Sequence, residues 1–213
     1  MTKLDPPSYT VDIAGLAVEL PLVPVTSDLA ISLLIDVDRG VRFLDHVGRK
    51  LAEKFADAKP DIVIGTATLG IPVAIEVSRY LGLDRYVILH KSPKVHLQDA
   101  LVEHVESIAS VGKQRLLLDR DAIPLLSGKR VLVVDDVVAT GSSLSASIRL
   151  ARKAGANIVG IGVILTEAHE WRPVLGADAD LVRGLGHIPQ FRIHGSNATI
   201  IPSSVEAARP GAA

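Results

Sequence analysis

The residue types best suited to chemistry in this sequence are concentrated in residues 131–143, VLVVDDVVATGSS, where an apolar run precedes two acids, Asp135 and Asp136, and several small residues. A helix that begins in such a run presents free backbone N–H groups and the positive end of its dipole, which together bind a phosphate. Carboxylates repel a phosphate, so the two acids suit sugar hydroxyls or a hydrated cation. The segment predicts a ligand that is both a polyol and a phosphate ester, and a phosphorylated ribose fits.

The acid pair and the small-residue loop each have a simpler interpretation, since an acid pair often ends a strand in solvent and Thr-Gly-Ser often caps a helix. An acid pair followed directly by such a loop is much less common by chance. The segment lacks the Lys of the Walker loop, and the dinucleotide fingerprint has no acid pair. Ser142 and Ser143 lack a Gly-x-Ser-x-Gly elbow, so we expect them to bind phosphate rather than to act as nucleophiles.

The surrounding sequence places this segment at the end of a sheet strand. Short apolar and β-branched runs predict strands over residues 62–65, 86–90, 130–134 and 158–165. Between them, amphipathic spacing predicts helices over 39–55, from Pro72 to Gly82, and from the small-residue loop to Gly155. Aromatic residues are only 3% of the chain, so Val, Ile, Leu and Ala must build the core. The predicted fold class is α/β, a Rossmann-like parallel sheet flanked by helices.

Two regions depart from this alternation. Residues 91–121 form a connection too long for structure alone, and the runs 101–109 and 114–118 predict a flap hairpin. The terminal segments predict a small hood over the carboxyl edge of the sheet. We expect a single domain over 1–213, with a core of about 36–170, a hood from about 1–35 and 168–200, and a disordered tail at 203–213.

Composition excludes several classes of function. The formal net charge of −1 argues against a nucleic-acid partner, and the absence of cysteine excludes disulfides, thiolate metal sites and Cys nucleophiles. The start of the chain lacks a basic and then hydrophobic signal, and no apolar run approaches the ~20 residues of a membrane helix. We therefore expect a cytoplasmic protein with no membrane partner. The seven histidines show no metal-ligand spacing.

Residues 131–143 resemble the phosphoribosyl-pyrophosphate (PRPP) signature of the type I phosphoribosyltransferases at every position. From residue 32 to about residue 170, the order of elements and the pair His90-Lys91 resemble the purine branch, particularly the adenine and xanthine enzymes. The stretch HKSPKVHLQDAL, which begins at His90, is more similar to the xanthine enzyme. About two-thirds of the chain is covered, and the PRPP signature is the specific part.

The resemblance implies a role for each matching residue. Asp135 and Asp136 would hold the ribose hydroxyls, directly or through Mg²⁺ and water, and Val137 would pack on the purine. The 5-phosphate would be bound by Ala139, Thr140, Gly141, Ser142 and Ser143, and the pyrophosphate by Thr66, Ala67, Thr68, Lys91 and Lys94.

The implied reaction displaces pyrophosphate from the anomeric carbon of PRPP by a base nitrogen, through an oxocarbenium-like transition state. Positioning and electrostatics supply most of such catalysis, with Mg²⁺ and lysines stabilising the leaving charge. The flap would exclude water. The ring loses a proton as the glycosidic bond forms, and Glu103 and Glu106 in the flap are the candidate acids.

Two departures from the family patterns leave the base open. Leu69-Gly70-Ile71 stands where adenine enzymes usually carry Arg, Gly and an aromatic residue. Glu167 stands where the xanthine enzyme has Lys, and a carboxylate accepts hydrogen bonds from an amino-bearing base. We expect a purine substrate, with adenine slightly preferred and xanthine open, and a homodimer. The alternative is a non-catalytic PRPP-sensing regulator, although residues before Ile31 are too few for the DNA-binding module of such regulators.

Overall fold

The computed structural model describes residues 4–97, 99–105 and 114–205. The helices are α1 (Val41–Phe55), α2 (Gly70–Tyr80), α3 (Ile123–Leu126), α4 (Ser142–Lys153) and α5 (Trp171–Leu175). The strands are β1 (Ser8–Ile13), β2 (Leu16–Pro24), β3 (Leu29–Ser32), β4 (Ile62–Thr66), β5 (Tyr86–Leu89), β6 (Leu101–His104), β7 (Arg115–Leu118), β8 (Arg130–Val138), β9 (Asn157–Glu167), β10 (Val182–Ile188), β11 (Gln190–His194) and β12 (Asn197–Ile200).

A five-stranded parallel sheet in the order β10-β9-β8-β4-β5 forms the centre of the molecule. Successive side chains of a strand point to opposite faces, so Leu132 and Val134 pack with α1 and α2 while Val131 and Val133 pack with α4. All four side chains are fully buried. The predicted fold class, an α/β protein with a parallel sheet flanked by helices, is confirmed.

The two ends of the chain form a second, antiparallel sheet in the order β1-β2-β3-β11-β12. Strand β11 pairs with β3, with Gln190 opposite Ile31, so the sheet joins an N-terminal and a C-terminal segment. The backbone N–H of Ala14 donates to the carbonyl oxygen of Leu185 in β10 at 3.2 Å, which fastens this sheet to the edge strand of the central one. We call these five strands the hood.

The long connection after β5 contains a short antiparallel hairpin, β6 with β7. His90 and Leu117 exchange two backbone hydrogen bonds of 2.9 and 2.8 Å, so the hairpin continues from the end of β5. The first run predicted here, 101–109, forms a strand only over Leu101–His104, and residues 106–113 lie outside the described residues. Among the residues that the structure describes, none of the helices is long and apolar enough to cross a membrane.

The predicted disordered tail is wrong for its first residues. A 3-10 turn covers Pro202–Ser204, and the Ser204 side chain is buried. Its hydroxyl donates to the carbonyl oxygen of Ile201 at 2.6 Å and accepts from the backbone N–H of Gln190 at 2.9 Å. These hydrogen bonds hold the turn against the hood, which composition alone does not reveal. Residues 206–213 of the predicted tail lie outside the described residues.

Candidate active site

Strand β8 brings the two acids to the carboxyl edge of the central sheet. Its pairing with β4 ends at Val134, whereas its pairing with β9 continues to Val138. Asp135 and Asp136 therefore lie where one neighbouring strand has stopped, and both are half-buried. In open parallel sheets the crevice outside the carboxyl ends of the strands is the usual place for a ligand.

The two acids form a coupled pair with excess negative charge. Burial raises the pKa of Asp135 well above its usual value, and the charge of Asp136 raises it further. Burial also raises the pKa of Asp136, although its hydrogen bonds and the cation of Lys91 oppose this rise. The backbone N–H of Asp136 donates to Oδ1 of Asp135 at 3.2 Å. A cation or hydroxyl donors would stabilise this pair in its ionised form.

The predicted phosphate loop folds into the start of α4. Gly141 precedes the helix with φ of +80°, and a Cβ there would lie 3.1 Å from the Cα and Cβ of Trp171. Only glycine fits that conformation and that spacing easily. Ser142 is the first helical residue, and its N–H donates to Oγ1 of Thr140 at 3.4 Å. The N–H groups that follow it in the first turn have no carbonyl partner within the helix.

An open pocket of about 170 Å³ lies against this loop, which gives a small anion access to the helix start. The pocket is lined by Asp135, Val137, Val138, Ala139, Thr140, Gly141, Ser143 and Leu144. Asp135 and the loop thus line one cavity.

The end of β4 offers less to a ligand than the sequence suggested. The hydroxyl groups of Thr66 and Ser147 form a buried hydrogen bond of 3.1 Å, and the N–H of Ala67 donates to the carbonyl oxygen of Leu89 at 2.9 Å. Thr66 and Ala67 are therefore engaged by the protein itself in this conformation. Thr68, which follows a cis peptide bond, is exposed at the sheet edge.

The two lysines of the predicted pyrophosphate site are both exposed, but they relate differently to the acids. The charge of Lys91 lowers the pKa of Asp135 and of Asp136, so it acts directly on the acid pair. Lys94 directly precedes a short 3-10 helix, Val95–Leu97. Lys91 therefore acts on the acid pair, whereas Lys94 does not contribute to the pKa of either acid.

Glu103 is not positioned as a catalytic acid. Its carboxylate forms ion pairs with Arg149 at 3.1 Å and with Lys153 at 2.5 Å, on the later turns of α4. Lys153 is eleven residues beyond Ser142, roughly 16 Å along the helix axis from the phosphate loop. Burial raises the pKa of Glu103, but the hydrogen bonds from both cations outweigh it and the net pKa is lowered. Glu106, the other candidate, lies outside the described residues.

The two predicted base-binding residues lie on neighbouring strands at the same edge. Val137 is half-buried and lines the pocket. Glu167 is 4% exposed, and burial and the charge of Glu170 raise its pKa, while a hydrogen bond of 3.1 Å from Gln190 opposes the rise. Gln190 was missed in the sequence because its contact with Glu167 depends on the position of hood strand β11. Its only signal in the sequence is that it is a polar residue at the start of an alternating strand.

Asp36 is a second residue that sequence reasoning missed. Its side chain is fully buried, and burial together with the charge of Asp136 raises its pKa to about 7. Neither oxygen has a hydrogen bond of good geometry, although the backbone N–H groups of Asp36 and Val37 lie near enough to moderate the rise. The signal available in the sequence was an acid that directly follows an apolar run, LLI.

The donor set is suitable for a hydrated divalent cation rather than for a fully protein-bound one. In the described part of the chain, no group of three or more His, Asp or Glu side chains is arranged to hold a metal ion. Mg²⁺ commonly binds through one or two carboxylates and keeps waters or takes phosphate oxygens. Asp135 and Asp136, two adjacent carboxylates at the carboxyl edge of the sheet, fit that mode of binding.

Comparison with known proteins identifies the family of this chain. The phosphoribosyl transferase domain family matches residues 36–183. A xanthine phosphoribosyltransferase of Exiguobacterium sp. is 32% identical over 142 residues, 66% of this chain and 70% of the relative. An adenine phosphoribosyltransferase of Nostoc punctiforme is 32% identical over 157 residues, 72% of this chain and 87% of the relative.

Solved structures agree on the fold. An adenine phosphoribosyltransferase from Rhodothermus marinus superposes with a TM-score of 0.62 at 24% identity, covering 85% of this chain and 94% of that one. The family match spans well over half of the chain and includes the acid pair, the phosphate loop and Glu167. The chain therefore belongs to the phosphoribosyl transferase family and is a phosphoribosyltransferase.

Proposed function

We propose that this enzyme transfers the phosphoribosyl group of PRPP to a purine base, giving a nucleoside monophosphate and pyrophosphate. The observation that carries the proposal is the shared pocket in which Asp135 lies beside the start of α4 and its phosphate loop. One wall suits the hydroxyl groups of a ribose, and the other suits a phosphate ester. The names of relatives that act on xanthine and on adenine support a purine as acceptor.

In this proposal the chain positions PRPP at both of its charged ends. Asp135 and Asp136 hold the ribose hydroxyls and a hydrated Mg²⁺, while Ala139, Thr140, Gly141, Ser142 and Ser143 surround the 5-phosphate. Lys91 and Lys94 meet the pyrophosphate, with Thr68 as the exposed residue of the β4 loop. When bound, Mg²⁺ supplies positive charge that stabilises the leaving pyrophosphate.

The reaction forms a bond between a ring nitrogen of the base and the anomeric carbon, while the bond from that carbon to the pyrophosphate oxygen breaks. The electron pair of the broken bond leaves with pyrophosphate, and the ring nitrogen loses its proton. The chain contributes orientation and charge rather than a covalent intermediate. Because Glu103 is paired with Arg149 and Lys153, we propose Glu106 as the flap carboxylate that accepts the proton as a general base.

Glu167 and Gln190 support adenine as the preferred base. A carboxylate accepts hydrogen bonds, so Glu167 favours a base that presents an amino group to it. Gln190 donates its amide N–H to Oε1 of Glu167 and thereby fixes the orientation of the carboxylate. Xanthine presents a carbonyl oxygen where adenine has its amino group, and such an oxygen would face the Glu167 carboxylate without a donor between them.

The site assignment is tested by the double variant Asp135→Asn with Asp136→Asn. We expect it to lose PRPP binding and turnover with adenine and with xanthine, while circular dichroism matches the parent. A charge-matched control is Asp57→Asn with Asp84→Asn, since both residues are exposed, and it should keep parental PRPP binding. Parental PRPP binding by the first variant would show that the site is wrongly assigned. Tight PRPP binding by the parent without turnover would favour the regulator instead.

A further inference from the structure

The last described residues of the chain, 202–205, are held by two histidine rings, and we call this segment the C-terminal turn. Nε2 of His187 lies 2.8 Å from the carbonyl oxygen of Ser204, and Nε2 of His169 lies 3.0 Å from that of Val205. A carbonyl oxygen only accepts hydrogen bonds, so Nε2 carries the proton in both rings. The rings stack, with centroids 5.4 Å apart and planes inclined by 16°. The backbone of the C-terminal turn is thus bound by a pair of mutually packed donors.

The ring of His187 is also bound to the central sheet. In β10, His187 lies opposite Thr166 of β9, and Ile188 lies opposite Glu167. Because Nε2 is the donor, Nδ1 of the neutral ring accepts from the hydroxyl of Thr166 at 2.9 Å. His187 therefore links the C-terminal turn to the end of the strand that carries Glu167.

The C-terminal turn also holds the start of β11. The buried hydroxyl of Ser204 accepts from the backbone N–H of Gln190 at 2.9 Å, and the backbone N–H of Ile201 donates to the carbonyl oxygen of Gln190 at 2.9 Å. Both backbone polar groups of Gln190 are thereby bound. Its side chain donates to Oε1 of Glu167 at 3.1 Å. A continuous series of hydrogen bonds thus runs from the C-terminal turn to the carboxylate assigned to the base.

This series lies largely outside the part of the chain that resembles the family. The match to the phosphoribosyl transferase domain ends at residue 183, before His187, Gln190 and Ser204. The Ser204 side chain is only 3% exposed, so it acts through its partners rather than by touching a ligand in this conformation. The contacts of this chain, and not the family pattern, therefore indicate what the C-terminal turn does.

We propose that the C-terminal turn determines base choice, with Ser204 and His187 as positioning residues. They hold Gln190, which in turn holds the Glu167 carboxylate in the orientation that accepts from the amino group of adenine. The proposal rests on the proposed function and deepens it, since it explains how Glu167 is kept in place. Ser204 and His187 contact no substrate. A purely structural role for them would change stability and leave the relative rates with two bases unaltered.

The test compares kcat/KM for adenine with kcat/KM for xanthine. Ser204→Ala removes the hydroxyl that binds Gln190, and its matched control, Ser203→Ala, changes an exposed serine of the same turn. His187→Leu removes both ring hydrogen bonds, whereas His187→Gln keeps an N–H₂ donor for the carbonyl oxygen of Ser204. Circular dichroism checks the fold of each variant, and the two His187 variants decide the question if Ser204→Ala does not fold.

A loosely held carboxylate binds the amino group of adenine less well and repels the carbonyl oxygen of xanthine less. We therefore expect Ser204→Ala and His187→Leu to lower the adenine-to-xanthine ratio about fivefold. Ser203→Ala and His187→Gln should keep this ratio within about twofold of the parent, and the KM for PRPP should stay within about twofold in all four variants. Ser204→Ala combined with Glu167→Gln should match Glu167→Gln alone, because effects that pass through one group do not multiply.

The possible failures are distinguishable. A parental ratio in both Ser204→Ala and His187→Leu would overturn the inference and leave the proposed function standing. An equal loss in Ser203→Ala, or a matching rise in the KM for PRPP, would indicate a general disturbance and contradict it. Full multiplication of the losses in the double variant would show that the turn does not act through Glu167, which also contradicts it. A parent that releases no pyrophosphate with either base would overturn the proposed function together with the inference.

Discussion

A Cβ atom at Gly70 would lie 2.8 Å from Oδ1 of Asp135, so the first residue of α2 and the first acid of the site pack with no room for a side chain between them. Gly70 itself is buried. The carboxylate of Asp135 therefore packs directly against the backbone at the start of α2. The spacing of two elements far apart in the sequence thus determines the shape of the site.

Gly70→Ala should therefore disturb PRPP binding. Either Asp135 or the start of α2 must shift, and we expect the KM for PRPP to rise about tenfold or more, since small displacements in a site are costly. The free energy of unfolding should fall by about 1–3 kcal/mol because of overpacking. Gly195→Ala is the control, since alanine there strains a positive φ, which Gly70 does not have, but meets no atom within 4 Å, so it should lower stability and leave the KM unchanged. A parental KM in Gly70→Ala would contradict the account.

The stability of the protein should depend on pH through Asp36. Its pKa is raised from 3.8 to about 7 in the folded state, so folding favours the neutral form. The contribution of Asp36 to the free energy of unfolding is therefore greatest below a pH of 3.8, where Asp36 is neutral in both the folded and the unfolded state. This contribution is lost as the pH rises through about 7 and Asp36 ionises in the folded state.

Asp36→Asn removes this dependence. We expect the difference in free energy of unfolding between Asp36→Asn and the parent to change in favour of the variant as the pH rises from about 4 to about 8. The size of this change follows from the rise in the Asp36 pKa and should reach a few kcal/mol in urea unfolding at the upper end. A difference between variant and parent that stays constant over this range would contradict the assignment of the titration to Asp36. Asp38→Asn, an exposed change in the same turn, should follow the parent at each pH.

Glu103→Gln should act on stability rather than on catalysis. Loss of the charge weakens the contacts with Arg149 and Lys153, and we expect the free energy of unfolding to fall by about 1–2 kcal/mol. A general acid or base contributes about 10²–10⁴-fold to a rate, whereas we expect kcat to change by less than about threefold. Asp99→Asn, which breaks an exposed ion pair with Arg120 in the same connection, serves as control. A hundredfold loss of kcat would restore Glu103 as a catalytic residue.

Glu167→Gln should change the choice of base. The substitution keeps the shape of the side chain and replaces one acceptor oxygen by an N–H₂ donor, so kcat/KM for adenine should fall about tenfold relative to xanthine. Glu53→Gln is the matched control, since its exposed side chain lies on α1 and pairs with Arg49 and Lys50. An unchanged adenine-to-xanthine ratio in Glu167→Gln would remove Glu167 from base recognition.

The sequence predicted the central elements because their signals are local. The run at residues 62–65 became β4 (Ile62–Thr66), since an apolar run with turn residues on both sides is sufficient to identify a buried strand. The strand predicted over 130–134 continues to Val138 as β8. Its two acids look like a turn in the sequence, yet pairing with β9, where Asp135 lies opposite Val163, extends the strand through them.

Long-range partners explain what the sequence could not predict. Glu103 reads as a free flap acid until Arg149, 46 residues away, is seen to bind it. Gln190 reaches Glu167 across 23 residues because β11 belongs to the hood, whose antiparallel pairing joins both chain ends. Asp36 belongs to no motif, and its raised pKa follows only from its burial and from the charge of Asp136.

The most direct test of the central claim is pyrophosphate release from PRPP and Mg²⁺ by the purified protein, measured with adenine, guanine, hypoxanthine, xanthine and the pyrimidine bases. We predict release that depends on a purine, fastest with adenine, and formation of the matching nucleoside monophosphate. No base-dependent release, or release with a pyrimidine alone, would contradict a purine phosphoribosyltransferase.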